Sequence, residues 1–325
     1  MFRAPLIKIS ALIGAIIVSV INSPAQSLRL EGESFQPPTN FPIVWKATND
    51  LPSGLWIYKV MPEAFSAAVV SNAMRIGHFE MKDVSRTSGE QSPLKDKHLI
   101  YCYNRNEYGK PRFLYIAPTI GAMEYGSQRD YKATVEGVPT TEETERLARD
   151  VLFQLGIDRS LLGEKVRKGY DETSTKVDPK THQLTGPPQV VVRGISFERR
   201  IDGIPLSEAW CFLIHFGSHG RIEDFKLRWR NFLPSESHRT LTPTEIIGMI
   251  KSGRSVFPPQ VGASEFDVSR SKALTVVKIT PRYFNGSGKE WIDFIYPYAD
   301  LEMAAGTVTF HLHCPILFYE GIGKK

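Results

Sequence analysis

Cysteine is scarce: the 325-residue chain has three, Cys102, Cys211 and Cys314. An odd number this small excludes a disulfide-built scaffold and leaves either one bridge, in any of three pairings, or three buried free thiols. Long apolar runs are equally scarce. The longest, 9–21, has 13 residues, whereas a membrane-spanning helix takes about 20. Beyond Ala25 the densest apolar stretch, 210–216, is far shorter still. Charge of one sign is not in large excess either. The formal net charge of +5 falls to +3 without Arg3 and Lys8, too little over such a length to point to nucleic acid. The chain also has no His-Glu-x-x-His, Gly-x-Ser-x-Gly, Cys-x-x-Cys or phosphate-cradling glycine loop. The usual signatures of metal, serine, redox and nucleotide chemistry are therefore missing.

What is present starts at the N-terminus. Arg3 and Lys8 give a positive start, the run 9–21 is broken only by small or hydroxyl residues, and Ser23-Pro24-Ala25 offers small side chains to a signal peptidase. Basic, then apolar, then cleavable is the layout of a secretory signal. The expectation is cleavage near Ala25 and a secreted, periplasmic or envelope protein with no later membrane span; an uncleaved N-terminal anchor is the competing reading. Hydrophobic content of 42% is that of an ordinary globular chain.

Residues 26–50, with Pro37, Pro38 and Pro42, show no sustained period and read as an extended lead-in. After them a helix followed by several strands recurs three times, in 51–135, 136–236 and 237–325. The first helix is expected over 62–76, with Phe65, Val69, Ala73 and Ile76 on one face and Gly77 as a left-handed end. The second, 140–156, opens on a Thr140/Glu143 capping box and closes at Gly156. The third, 242–251, has Thr242, Pro243 and Glu245 at its start and Gly253 beyond its end. Strands are expected at 78–84, 99–104, 112–117, 122–125, 165–170, 190–201, 207–216, 221–230, 274–280, 290–298 and 307–317. Asn285-Gly286-Ser287-Gly288 reads as a turn, and the polar stretch 171–188 as a loop. The fold class this implies is α+β: a helix plus an antiparallel meander, repeated two to three times.

In the middle unit the residues from Ile195 through Phe197, Asp202, Gly203, Ile204 and Pro205 to Leu206 precede an aromatic strand, a His219-Gly220 turn and a return strand. This succession resembles the PepSY and FTP family, small propeptide-like domains found beside secreted peptidases and alone in bacterial envelope proteins. The helix 140–156 stands where that family places one. The resemblance implies a cystatin-like α+β unit and a binding role, in peptidase modulation or envelope sensing. The departure is the missing zinc peptidase, so the chain would be a stand-alone version with its partner encoded elsewhere.

Candidate sites are few. Along 224–230, Lys226, Arg228 and Arg230 alternate with Phe225, Leu227 and Trp229, so three cations share one face. They could meet an acidic partner or form a solvated edge that discourages aggregation. Trp291, Tyr296 and Tyr298 could line a groove for sugar or peptide, although most strand aromatics, Tyr101, Tyr103, Phe113 and Tyr115 among them, should be core. His311, His313 and Cys314 have the donor chemistry of zinc. Strand periodicity nonetheless puts the two histidines on one face and the cysteine on the other, and no metal or other cofactor is expected. His215 and His219 flank a turn without a visible nucleophile. The leading functional reading is a non-catalytic exported protein that binds a polypeptide by strand addition. A hydrolase with scattered residues and a carbohydrate or small-ligand binder are the alternatives. The first needs an exposed apolar or edge-strand surface, the second perturbed titratable groups in one cleft, the third a row of exposed coplanar rings.

Overall fold

The computed structural model describes residues 30, 32–62, 65–86, 98–129, 135–167, 171–177, 180, 183–207, 211–258, 271–284 and 293–318. The N-terminal signal, Trp291 and the 285–288 turn lie outside them. In chain order the elements are β1 (Ser34–Phe35), β2 (Ile43–Trp45), β3 (Gly54–Val60), α1 (Ala67–Ile76), β4 (Val84–Arg86), β5 (Ile100–Arg105), β6 (Pro111–Ala117) and β7 (Ala122–Ser127). Then come α2 (Thr141–Leu155), β8 (Leu162–Arg167), β9 (Asp171–Val177), β10 (Leu184–Ile201), β11 (Ile204–Pro205), β12 (Phe212–Phe216) and β13 (Ile222–Arg228). The last are β14 (Phe232–Arg239), α3 (Pro243–Lys251), β15 (Ser255–Val256), β16 (Leu274–Phe284), β17 (Phe294–Ala305) and β18 (Val308–Pro315).

The three helices follow their local signals closely. At α2 the Glu143 N–H donates to Thr140 Oγ1 at 3.3 Å and the Thr140 N–H to Glu143 Oε2 at 2.8 Å, and Gly156 closes the helix at φ 83°. Thr242 and Glu245 repeat this box at α3. The first helix starts at Ala67 rather than 62, because Ser66 accepts from the Val69 N–H and caps it there. Gly77 is not left-handed as expected; its φ is −78°, and His78 takes the positive φ of 55° instead. A Cβ on Gly77 would lie 2.8 Å from the Phe79 ring, so close approach, not backbone handedness, is what glycine answers there.

The expected α+β repeat does not form. Among the described residues the protein is mainly β, with three α-helices and two large, predominantly antiparallel sheets of eight and ten strands. The smaller runs β1-β15-β18-β17-β16-β2, with β3 pairing both β17 and β14, and the larger runs β11-β10-β12-β13-β7-β6-β5-β4, with β8 and β9 on β10. The reason lies in sheet edges. A meander of a few strands under one short helix exposes unpaired backbone on both sides, and joining two meanders removes two such edges. Here β7 pairs with β13, from Gly126 opposite Asp224 to Ala122 opposite Arg228, which fuses the first and second expected units into one sheet. Both α1 and α2 lie on that sheet and share one core with Cys102, Leu114, Phe197, Phe212 and Phe225.

Two further expectations change. The segment 78–84 is not a strand: a 3-10 turn, Met81–Asp83, intervenes, and only Val84–Arg86 pairs. The stretch 171–188 is not simply a loop, because β9 pairs with the first half of β10. The supposed lead-in supplies β1 and β2, the latter parallel to β16.

The order along the chain is nested. Val60 at the end of β3 pairs with Phe232 at the start of β14, and the Met61 N–H donates to Asn231 O at 2.9 Å. Almost everything between them builds the ten-stranded sheet. The smaller sheet therefore draws on both ends of the chain, and its core joins Ile57 and Val60 to Ile246, Ile279, Leu301 and Leu312. One hairpin crosses over: at the β10–β11 turn, Asp202 and Gly203 both take positive φ, and Ile201, Ile204 and Leu206 enter the smaller sheet's core.

Candidate functional site

At the β4 edge of the larger sheet, the backbone turns sharply at His78. This directs the Phe79 ring inward, edge-on to Tyr125 at 6.4 Å, and the 3-10 turn then carries Met81 outward, where it is 78% exposed. A groove of about 920 Å³ results between α1 and the sheet, lined by Phe65, Val70, Met74, Phe79, Met81 and Ile100. Asp83 fixes the turn: its carboxylate accepts from the Glu80 N–H at 2.9 Å and the Asn104 amide at 3.1 Å. These bonds, the backbone one foremost, hold its carboxyl below the usual range. Ile100, in the groove, pairs with Arg86 of β4. Among the described residues β4 has a strand on one side only, β5.

The face of the same sheet turned away from the helices carries two cross-strand rows. One runs Tyr101, Tyr115, Glu124, Lys226, Leu213; the next Tyr103, Phe113, Gly126, Asp224, His215, Gly194. Tyr101 and Tyr115 stack on each other at 4.7 Å and 23°, so their faces are turned to one another instead of forming the coplanar row a sugar would need. A Cβ on Gly194 would stand 2.1 Å from the His215 ring, and one on Gly126 2.6 Å from Phe113, so these glycines leave room for rings to lie against the sheet. His215 Nδ1 stands 2.8 Å from Asp224 Oδ1. That partner orients an imidazole but is no nucleophile.

The cation row breaks up. Lys226 pairs with Glu124 at 2.9 Å and Arg228 is exposed, but β13 has ended before Arg230, which is buried with its Nε donating to Ile120 O at 3.2 Å. Tyr296 and Tyr298 are buried within β17. His311 is exposed, with Nδ1 2.8 Å from Asp300 Oδ1, while His313 lies against the Tyr298 ring at 4.6 Å. Burial pushes the His313 imidazole down. Cys314 is buried on the opposite face, as the strand period requires, and its thiol is pushed up to about 12. Among the described residues no three histidine, cysteine or acidic side chains are placed to share a metal ion. All three cysteines are buried and none is in a disulfide.

No protein-family model matches the chain, and no curated protein matches it. Among solved structures it is similar to an uncharacterized protein from Eubacterium rectale, at 13% identity over 83% of this chain and 85% of that one, with a TM-score of 0.43. No helix among the described residues is long and apolar enough to cross a membrane.

Of the groove residues, sequence reasoning placed Phe65 on a helix face and passed over Met74, Met81 and Ile100. The groove is assembled across a helix, a 3-10 turn and a strand, so no local period marks it. One local sign did exist: Met81 is a lone apolar residue among Glu80, Lys82 and Asp83.

Proposed function

We propose that this is an exported, non-catalytic binding protein that takes an extended polypeptide along β4, with alternate side chains entering the groove under α1. The observation that carries this is the conjunction of a strand that, among the described residues, is paired on one side only with an apolar groove beside it. Backbone donors and acceptors at such an edge are complementary to another extended chain, and the pocket beside them selects its side chains. The two methionines suit the role, since an unbranched thioether repacks around different partners. Export is supported by the basic start, the 9–21 apolar run and the small residues before Gln26. The likeness of 195–229 to the PepSY and FTP domains is in keeping with a binding role. The phenols of Tyr58, Tyr283 and Tyr298 and the thiols of Cys102 and Cys314 are all pushed up by burial, opposite to the shift that activates a nucleophile.

The test is selection of displayed random peptides on the purified exported protein, whose N-terminus should read Gln26. Peptides with alternating apolar residues should be enriched. Their affinity should fall about tenfold or more in Met81→Glu and in Val70→Glu, which place a charge in the groove. No enrichment, or enriched peptides that bind both variants as well as the unaltered protein, would sink the reading.

A further inference from the structure

Where α1 and α2 end, a second cavity of about 510 Å³ opens between their last turns, the β5–β6 connection and the β12–β13 connection. The Asn72 amide donates to Leu155 O at 3.4 Å and holds the two helix ends together. Three arginines line the cavity, and their partners differ. Arg221 is held at both ends by carboxylates, Glu107 at 2.9 Å and Glu223 at 2.8 Å. Arg112 has only uncharged acceptors: its Nε donates to Asn104 Oδ1 at 2.8 Å and its Nη2 to His78 O at 3.2 Å, with the guanidinium 5.4 Å over the Phe79 ring. Arg75 donates to Asn72 Oδ1 at 3.3 Å. Among the described residues no carboxylate lies within ion-pair reach of Arg75 or Arg112. Asp83, near Arg112, is already engaged by Glu80 and Asn104.

The remaining polar lining can donate as well as accept. Ser127 and the buried Tyr125, whose hydroxyl bonds that of Ser127, stand beside Gln154 and His78. With Arg221 neutralised, the concavity keeps two guanidiniums that make no ion pair among the described residues; Asp83 and Glu107 act on Arg112 only at longer range, and Arg75 is already tempered by the C-terminal end of the α1 dipole. Guanidinium forks match the planar, multiply accepting geometry of an oxyanion, and a charge-assisted bond to one is stronger than a neutral bond. We propose that this cavity binds a compact oxyanion, a carboxylate or phosphate group, gripped by Arg75 and Arg112. Arg221 acts as a positioning residue: it fixes the cavity wall through Glu107 and Glu223. The cavity shares Arg75 and His78 with the rim of the groove, but its test is separate from peptide binding, because a free anion needs no polypeptide.

Calorimetric titration of the exported protein at low salt, with citrate and separately with inorganic phosphate, tests it. At least one probe should bind saturably, and its affinity should fall about tenfold in Arg75→Gln and in Arg112→Gln, the worth of one charge-assisted hydrogen bond. Lys226→Gln, a cation on another face, should leave it unchanged. A response to phosphate alone or to citrate alone identifies the anion. Arg75 lies on an exposed helix surface, so its variant keeps the test valid even if Arg112→Gln unfolds the protein. The proposal is overturned if neither probe binds saturably, if Arg75→Gln binds as well as the unaltered protein, or if Lys226→Gln weakens binding equally.

Discussion

Burial sets the chemistry of the cysteine thiols and of several tyrosines in this protein. Cys102 lies between the sheet and the helices, and removal from water pushes its thiol up to about 11; Cys314 is pushed up to about 12. Both therefore remain protonated at neutral pH, and a thiol reagent should find nothing in the native state but all three cysteines after denaturation. Reaction of any cysteine at native speed would contradict the buried placement. The same shifts set a pH dependence. The folded values exceed the ordinary value of 9.0, so the stabilisation is complete below about pH 9 and is lost as pH rises through 11 and 12. Urea midpoints should fall over that alkaline range, and less steeply in Cys102→Ala.

Among elements, the helices were the most legible in the sequence, and the capping boxes explain why. Thr140 and Glu143 satisfy each other's backbone donors within four residues, so nothing distant is needed to set the start of α2. Thr140→Ala should cost about 1 kcal/mol in a urea titration, and Thr140→Ser should recover most of it. An unchanged midpoint in the alanine variant would mean that packing of Ala148, Val151 and Leu152 alone holds the helix. Strand faces were legible for the same local reason: Phe310, Leu312 and Cys314 point inward and His311 outward along β18, as period two requires. The segment 232–239 carries no strand signal of its own, because after Phe232 and Leu233 it is polar on both faces and contains Pro234, features of an edge strand. The β3 segment buries both Ile57 and Tyr58 in succession, so its period is broken, and its partners, β14 and β17, lie far along the chain.

At the scale of the whole molecule, the Asp202-Gly203 turn joins the two sheets. Both residues adopt the positive φ that a two-residue hairpin demands, 50° and 77°. The Tyr58 hydroxyl of the smaller sheet donates to the Asp202 carboxylate, and Tyr58 packs edge-on to Tyr283 at 5.4 Å. Asp202→Ala removes that acceptor, leaves the Tyr58 hydroxyl with Tyr283 alone and puts a methyl side chain at a strained φ. A loss of about 1–3 kcal/mol is expected, with chemical denaturation as the check. A variant as stable as the parent would show that the hydrophobic contacts of Ile201, Ile204 and Leu206 suffice to join the sheets.

By itself the sequence determined where helices begin and which side of a strand is buried, because those choices are made by groups a few residues apart. It did not determine which strand lies beside which, since backbone N–H and C=O groups are the same in every strand. Only the tertiary structure brought β7 to β13 and β3 to β14, nesting one sheet's segments within the other's. The arginine cavity is a product of the β7–β13 pairing, which brings Arg221 to Arg75 and Arg112, whereas the groove is built within residues 65–100 by packing of a helix, a 3-10 turn and a strand that no single local period connects.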